Sequence, residues 1–257
     1  MTEDQARLLQ AQSRIAQWMT ITPPILLSER APVAANPFTG LSQPEIQSFE
    51  RSVRLGFVYQ DLCRQLFIQH PDYQIVAEEV QLQSGKTTIG AIDFLLQHHQ
   101  PIEHWEVALK FYLLQGGKWY GPDSRDRLDK KLQRMLEHQL RMSETEAFAE
   151  RFPDVTEVIP KLLMQGRLYL NPFTTEPVPE QSCGYALNPK SINGYWCYQH
   201  QAHRIGETLY KLAKPDWLTG SSDPDNILRN FPDYAVHCQS ESGQFWMIVP
   251  EWWPNNG

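Results

Sequence analysis

The sequence contains no apolar run of about 18 residues, the length that a helix needs to cross a bilayer. The first helical stretch, from Glu3 to Trp18, is polar and therefore lacks the apolar centre of a signal peptide. The 4 cysteines are too few and too scattered for a disulfide scaffold, and they favour a reducing compartment. These absences predict a cytoplasmic protein without a membrane segment.

Positively charged residues are fewer than negatively charged ones: the sequence has 23 Lys and Arg residues and 30 Asp and Glu residues, and the formal net charge is −7. An acidic total argues against a protein that coats nucleic acid non-specifically, although it is compatible with a local basic groove. The sequence has no phosphate-binding Gly-rich loop, no Gly-x-Ser-x-Gly elbow and no dinucleotide-binding fingerprint. What it does have is 41% hydrophobic residues, the composition of a folded globular protein of 257 residues.

Prolines and apolar residues divide the chain into three regions. Residues 1–44 predict an N-terminal helix and a Pro-rich connector that cannot continue the helix. Residues 45–154 have the pattern of a compact α/β core. In residues 155–257, prolines and glycines punctuate short apolar runs, and we expect a β-containing C-terminal subdomain there.

The core region has the order helix, three strands, helix. Apolar residues recur at helical spacing from Glu45 to about Gln69. Two extended runs, Tyr73 to Leu82 and Thr87 to Leu96, are joined by Ser84-Gly85-Lys86 and predict a β-hairpin. A third run, His104 to Leu114, predicts the next strand of the same sheet.

The second helix of the core follows this third strand. Its apolar stripe runs from Leu128 to Leu140, and Asp123 or Ser124 is the expected N-cap. The odd-numbered residues of the third strand, Trp105 to Leu113, are all apolar and must be covered. Because the nearest amphipathic element is this helix, we expect its stripe to pack on that face.

The other face of the third strand carries charge. Glu106 and Lys110 lie on it with Ala108 between them, because alternate residues of a strand share a face. A solvated sheet face with a weak surface ion pair would explain this pattern. The preceding strand holds one ionisable residue, Asp93, where a carboxylate is costly to desolvate unless a cation or several donors meet it.

Two interpretations of Asp93 follow. It is either a strand-end aspartate that bonds to a neighbouring turn, or it converges with Glu106 on a divalent metal ion. Two hard carboxylate ligands suit Mg²⁺ or Mn²⁺, with coordination sites left for water and a phosphate oxygen.

These residues resemble a known family. Gly90-x-x-Asp93 on one strand, then Glu106 and Lys110 on the next, followed by an amphipathic helix, is similar to the core of the PD-(D/E)XK nuclease superfamily. More of the chain resembles an uncharacterised bacterial family of conserved domains of unknown function, through the strings Trp105 to Tyr112, Asp126 to Leu132 and His138-Gln139-Leu140. The first resemblance implies a restriction-endonuclease-like fold, with a mixed sheet between helices. It also implies a metal held by the Asp, the Glu and a main-chain carbonyl, with the lysine positioning or polarising the attacking water.

One position departs from the superfamily pattern. The lysine there follows an acid by two residues, but here Ala108 stands at that place. Glu106 lies one step back on the same face, roughly 6–7 Å along the strand, so either it replaces the missing acid or the site is degenerate. The resemblance implies a metal-dependent nuclease with Asp93, Glu106 and Lys110 as catalytic residues. The alternative is a nuclease-fold module that binds nucleic acid or protein without catalysis.

Basic residues follow the strand on the predicted helix. Five of them fall within an arc of about 100° on a helical wheel, apart from the acidic residues. They are Arg127, Lys130, Lys131, Arg134 and Arg141. A solvated helix face would explain the arc. Because the arc comes directly after the acid–lysine strand, we predict instead that Arg127, Lys130, Lys131 and Arg134 contact phosphates of nucleic acid, with DNA favoured over RNA.

Overall fold

Eleven strands and four α-helices occur in the part of the chain that the computed structural model describes, residues 3–42, 44–47, 54–98, 101–221 and 224–254. The strands are β1 (Gln74–Ser84), β2 (Thr87–Gln97), β3 (Ile102–Gln115), β4 (Lys118–Tyr120), β5 (Val158–Leu170), β6 (Gln181–Ser182), β7 (Tyr185–Ala186), β8 (Ile192–Tyr198), β9 (Leu209–Lys211), β10 (Val236–Ser240) and β11 (Phe245–Val249). The helices are α1 (Glu3–Ile21), α2 (Leu55–Gln69), α3 (Leu128–Glu137) and α4 (Glu146–Arg151), and a 3₁₀ segment, Gln139–Glu144, lies between α3 and α4.

One large mixed sheet organises the molecule. Its strand order is β1-β2-β3-β5-β8-β11-β10-β9, with β4 paired to β3, while β6 and β7 form a separate two-stranded sheet. The four central strands β3, β5, β8 and β11 are parallel to their neighbours in this group. The strands at both ends pair antiparallel. The fold is therefore mixed α/β, and the region predicted as the C-terminal subdomain contributes β5 and β8–β11 to the same sheet as the predicted core.

The predicted hairpin is present, and the structure has a second one. Strands β1 and β2 pair antiparallel from Gln74–Gln97 to Ser84–Thr87. Gly85 takes a φ of 62° between them, as the first residue of a two-residue turn whose backbone twist suits a hairpin. Strands β10 and β11 form the second hairpin near the end of the chain.

Helices cover both faces of the sheet. On one face, α1 and α2 pack against the odd-numbered residues of β3 in an aromatic-rich cluster. Phe67 of α2 makes edge contacts with Phe94 and Trp105, at ring-centroid distances of 5.5 Å in each case. On the opposite face, α3 packs on even-numbered residues of β3, including Ala108 and Tyr112. Because both of its faces are buried, β3 is a central strand of the core.

The expectation about which face of β3 the helix stripe covers is therefore corrected. The strand at His104 to Leu114 does pair with β2, but the stripe from Leu128 to Leu140 covers its even-numbered face and not the odd-numbered face from Trp105 to Leu113. The odd-numbered face is instead covered by α2, the helix that precedes the β1–β2 hairpin, together with α1. Glu106 is therefore fully buried and Lys110 half-buried, so this part of the strand is not a solvated sheet face.

Helix boundaries differ from the sequence pattern as well. The helix predicted from Glu45 begins at Leu55, although Phe49 and Val53, on which part of the pattern rests, lie outside the described residues. The helix after β4 begins at Leu128, with Arg127 at the N-cap position, and not after Asp123 or Ser124. In the described part of the chain, no helix combines the length and the apolarity that a membrane crossing requires.

Candidate functional site

Asp93 and Glu106 lie in a gap between β2 and β3. The pairing of these strands runs from Gln97–Ile102 to Phe94–Trp105, and the two acidic residues come next on their strands. One carboxylate oxygen of Asp93 accepts the backbone N–H of Val107 at 3.0 Å. Glu106 Oε1 accepts the backbone N–H of Asp93 at 3.3 Å. Each carboxylate thus bonds to the backbone of the opposite strand, which brings the two predicted site acids together.

Elements on both faces of the sheet reach this gap. From α2, the Gln60 amide donates to Asp93 Oδ1 at 3.3 Å. From the 3₁₀ segment on the other face, the Gln139 amide donates to Glu106 Oε2 at 2.6 Å. The same segment packs closely on β2, because a Cβ added at Gly90 would lie 2.5 Å from the sulfur of Met142. Gly90 of the Gly-x-x-Asp pattern is therefore a close-packing position under this segment.

His104 completes the surroundings of Glu106. Its Nε2 lies 3.2 Å from Glu106 Oε1, and its Nδ1 lies 3.1 Å from the hydroxyl of Ser143. Burial lowers the pKa of His104 to about 4, so the ring is neutral at pH 7. When Glu106 is ionised it only accepts, so Nε2 then carries the proton and donates to Glu106, and Nδ1 accepts from Ser143.

Both acidic groups are electrostatically unusual. Burial, and then the nearby charge of Glu106, raise the pKa of Asp93 from 3.8 to about 7. Burial likewise raises the pKa of Glu106 from 4.5 to about 7, against the opposing effects of its hydrogen bonds and of Lys131. Two carboxyl groups with raised pKa values in one gap are typical of functional sites, where a cation or a proton compensates the charge.

The lysine predicted from the sequence is held by another residue. Lys110 Nζ lies 2.6 Å from Asp126 Oδ2, and Tyr112 donates its hydroxyl to the same carboxylate at 3.2 Å. Asp126 belongs to a tight loop, in which its carbonyl accepts the N–H of Gly121 at 2.7 Å. Lys110 shares the strand face of Glu106 as predicted, but its ammonium group is paired with this loop.

A second lysine, Lys131 of α3, interacts electrostatically with Glu106 and Asp93. Its ammonium group donates to Gln139 Oε1 at 3.1 Å, and the amide of Gln139 in turn donates to Glu106. Burial and then the charge of Lys110 lower the pKa of Lys131, while Glu106 and Asp93 oppose this shift. The sequence pattern grouped Lys131 with outward-facing phosphate contacts, but the structure places it beside the acidic pair.

The rest of the predicted basic arc is divided. Arg127 precedes α3 and forms a bidentate ion pair with Asp129. Arg141 lies beyond the helix and pairs with Glu144 at 3.0 Å. Lys130 and Arg134 are exposed on α3. These two residues therefore form the exposed basic pair, the part of the arc that remains open to a partner.

Ala108, where the superfamily pattern has an acid, is buried in the apolar cluster under α3. Its neighbours in this cluster include Leu128 and Leu132, and the residue is 7% exposed. A carboxylate at this position would be desolvated against leucine side chains. An acid in this part of β3 therefore fits at Glu106, next to the gap, and not at Ala108. Within the described ranges, no group of three or more His, Cys, Asp or Glu side chains has metal-site geometry.

Similarity to known proteins was found at the level of one family. Residues 6–244 match the family described as a domain of unknown function, DUF1853. The chain belongs to this family. No curated protein and no solved structure matches it. The match includes β2, β3, α3 and the 3₁₀ segment, so every residue of the site lies within the DUF1853 domain.

Sequence reasoning missed several residues of this DUF1853 site. His104 stands on the same face as Glu106 by simple alternation, which was a usable signal. Gln60 and Ser143 carry no such signal, because neutral polar side chains on separate elements reach the gap only through the tertiary fold, and Gln139 was visible only within the string His138-Gln139-Leu140 that resembles the family. Asp126 was visible only as part of the string that resembles the family.

Proposed function

We propose that this chain is a metal-dependent nuclease that hydrolyses phosphodiesters of nucleic acid, DNA in preference to RNA, on a restriction-endonuclease-like core. The observation that carries the proposal is the convergence of Asp93 and Glu106 in the gap beside β2 and β3, with both pKa values raised to about 7. Buried acidic pairs are costly to keep for stability alone, which favours a functional reason for them. A cytoplasmic location is part of the proposal and is supported by four free cysteines.

The donor set fits Mg²⁺ or Mn²⁺. Carboxylate oxygens are the hard ligands that these ions prefer. Both oxygens of Asp93 and Oε2 of Glu106 each accept one hydrogen bond and keep a second lone pair, whereas Glu106 Oε1 accepts two. Mg²⁺ usually binds through one or two carboxylates and keeps several water ligands, so two acids suffice. When bound, the cation would supply Lewis acidity at the phosphate and would offset the repulsion between Asp93 and Glu106.

The reaction itself defines what the protein side chains must do. The oxygen of water forms a bond to phosphorus and one P–O ester bond breaks. One water proton ends on the leaving hydroxyl, and the other is released from the new phosphate group. Negative charge grows on the phosphate oxygens during this step, and an ammonium group on the face of Glu106 would stabilise it. Lys110 and Lys131 are the two lysines near that face.

A second candidate function is a non-catalytic module that keeps this fold. The specific observation in its favour is Ala108, because an acid of the superfamily pattern is replaced by a residue packed under α3. Glu106 is also fully buried, and both of its oxygens already accept hydrogen bonds. Under this alternative the acidic pair takes no part in catalysis, and the partner is nucleic acid or protein.

Calorimetry and cleavage assays distinguish the two. The nuclease proposal expects one specific Mn²⁺ site that is lost in Asp93→Asn and kept in Asp72→Asn, an exposed aspartate in the turn before β1. It also expects Mg²⁺- or Mn²⁺-dependent cleavage of single-stranded, duplex or branched DNA, or of RNA, that EDTA abolishes. Cleavage that survives EDTA, or that is equal in wild type and Asp93→Asn, contradicts the proposal. Mn²⁺ binding without cleavage of any substrate supports the module.

A further inference from the structure

The acidic pair has two lysine neighbours, and the structure separates their roles. Lys110 stands at the position of the superfamily's lysine, four residues after Glu106. Its ammonium group is bound at 2.6 Å by Asp126 and lies over the loop that ends at α3. That loop is fixed in turn, since Asp126 donates its N–H to Asp123 and accepts the N–H of Gly121. The lysine on the strand therefore anchors the entry to α3.

Lys131, by contrast, is linked to the acidic pair and not to a loop carboxylate. One N–H group of its ammonium is used by Gln139 Oε1 at 3.1 Å, and an ammonium group has two more N–H groups to donate. The orientation of the Gln139 amide is determined by its two partners, because lysine only donates and the Glu106 carboxylate only accepts. This relay holds the ammonium group one hydrogen-bonded side chain away from Glu106. The charges of both Asp93 and Glu106 act on Lys131.

We propose that Lys131 of α3, and not Lys110 of β3, is the cation that contacts the scissile phosphate beside Asp93 and Glu106, with Gln139 positioning it. This inference rests on the proposed nuclease function and names its catalytic lysine. The role that the superfamily pattern gives to a lysine on the strand is thus assigned to a lysine on the helix that covers this strand. The same helix carries the exposed basic pair, Lys130 and Arg134, on its outer side, so one helix would present both the catalytic cation and contacts to the neighbouring phosphates.

The test compares three substitutions that each remove one positive charge. Lys131→Met should reduce the Mn²⁺-dependent cleavage rate by about 100-fold or more, the usual effect of losing a group that stabilises charge in the transition state. Lys110→Met should reduce the rate less than Lys131→Met and should lower the melting temperature. Lys86→Met, in the exposed turn between β1 and β2, is the charge-matched control and should leave both unchanged. Lys131→Arg should recover part of the rate, because it restores the charge.

A second readout does not depend on turnover. Lys131 repels a cation at the acidic pair, so Lys131→Met should raise the Mn²⁺ affinity severalfold in calorimetry, while Lys86→Met leaves it unchanged. A Lys131→Met protein that cleaves at the wild-type rate, or a larger loss in Lys110→Met, overturns the inference but leaves the nuclease proposal intact. A wild-type protein that cleaves nothing overturns both the nuclease proposal and the inference that rests on it. A wild-type protein without a Mn²⁺ site overturns both.

Discussion

Glu106 accepts a hydrogen bond from the backbone N–H of Asp93 at 3.3 Å, so a side chain of β3 bonds to the backbone of β2 at the point where the regular pairing of the two strands ends. Asp93 does the same for β3, by accepting the N–H of Val107 at 3.0 Å. The two carboxylates therefore satisfy backbone donors that the gap would otherwise leave unpaired. They hold the gap in shape while their own charges repel each other.

This arrangement makes stability depend on pH through Glu106. Its pKa is about 7 in the folded protein against 4.5 ordinarily, so the folded state binds the proton more tightly between these two values. The free energy of unfolding then falls as pH rises from about 4.5 to about 7, and the loss is complete above pH 7. Glu106→Gln removes this effect. Relative to wild type, its free energy of unfolding should rise by ~1–3 kcal/mol between pH 4.5 and pH 8.

The measurement is urea unfolding of both proteins in EDTA at pH 4.5, 6 and 8. Buried His104 has the opposite dependence, because its pKa is lowered to about 4 and its charging opposes folding at acidic pH. His104 and Asp93 titrate in both proteins, and because both contact Glu106, the difference also includes their coupling to it. A difference between wild type and Glu106→Gln that stays constant over this pH range contradicts the raised pKa of Glu106.

Local patterns in the sequence predicted where the strands lie better than they predicted which elements cover each strand face. The hairpin at Gly85 and the strand after it follow from turn chemistry and from alternation, which act over a few residues. Which helix covers which face of β3 is a different question, because a period of two shows only which side chains share a face. The polar residues His104 and Glu106 made the even-numbered face resemble a solvated one, whereas both residues are buried under the 3₁₀ segment.

The acids of the site were predictable for a physical reason. Asp93 stands alone among apolar residues of β2, and burying such a charge without compensation is costly. Glu106 follows from alternation on the next strand. The pairing of Lys110 with Asp126 was not predictable, because a flexible lysine has several acidic residues within reach and the loop geometry decides between them. The resemblance to a nuclease core supplied the expected role of the lysine, and the fold places a second lysine, Lys131, one hydrogen-bonded side chain away from Glu106.

The exposed basic pair on α3 gives a prediction for nucleic-acid binding. Arg127 is already paired with Asp129, and Lys130 and Arg134 are the exposed residues of the arc that can each neutralise a phosphate outside the acidic gap. Replacing both by Glu should weaken binding and should reduce the slope of log affinity against log salt by roughly 0.7–0.9 for each lost contact. The measurement is fluorescence anisotropy with a labelled duplex and a single strand over a range of salt concentrations.

A matched double variant controls for net charge. Lys86 and Lys190 are exposed on other elements of the chain, and their replacement by Glu changes the total charge by the same amount. This variant should keep the wild-type salt slope, because general charge acts weakly over distances beyond about 10 Å at 0.1 M salt. If Lys130 and Arg134 can be reversed without any change of slope, α3 presents only a solvated face.

The close approach of β5 to β3 behind the site gives the last prediction. Gly166 has a φ of 147°, and a Cβ added there would lie 1.7 Å from the carbonyl oxygen of Lys110. Gly166→Ala must separate the two strands or strain its backbone, so it should lower the free energy of unfolding by about 2–6 kcal/mol. Gly56→Ala is the control. Its Cβ would meet nothing within 4 Å near the start of α2, and its stability should be unchanged or higher by up to ~1 kcal/mol. Equal urea midpoints for the two variants would contradict this account of the contact between β3 and β5.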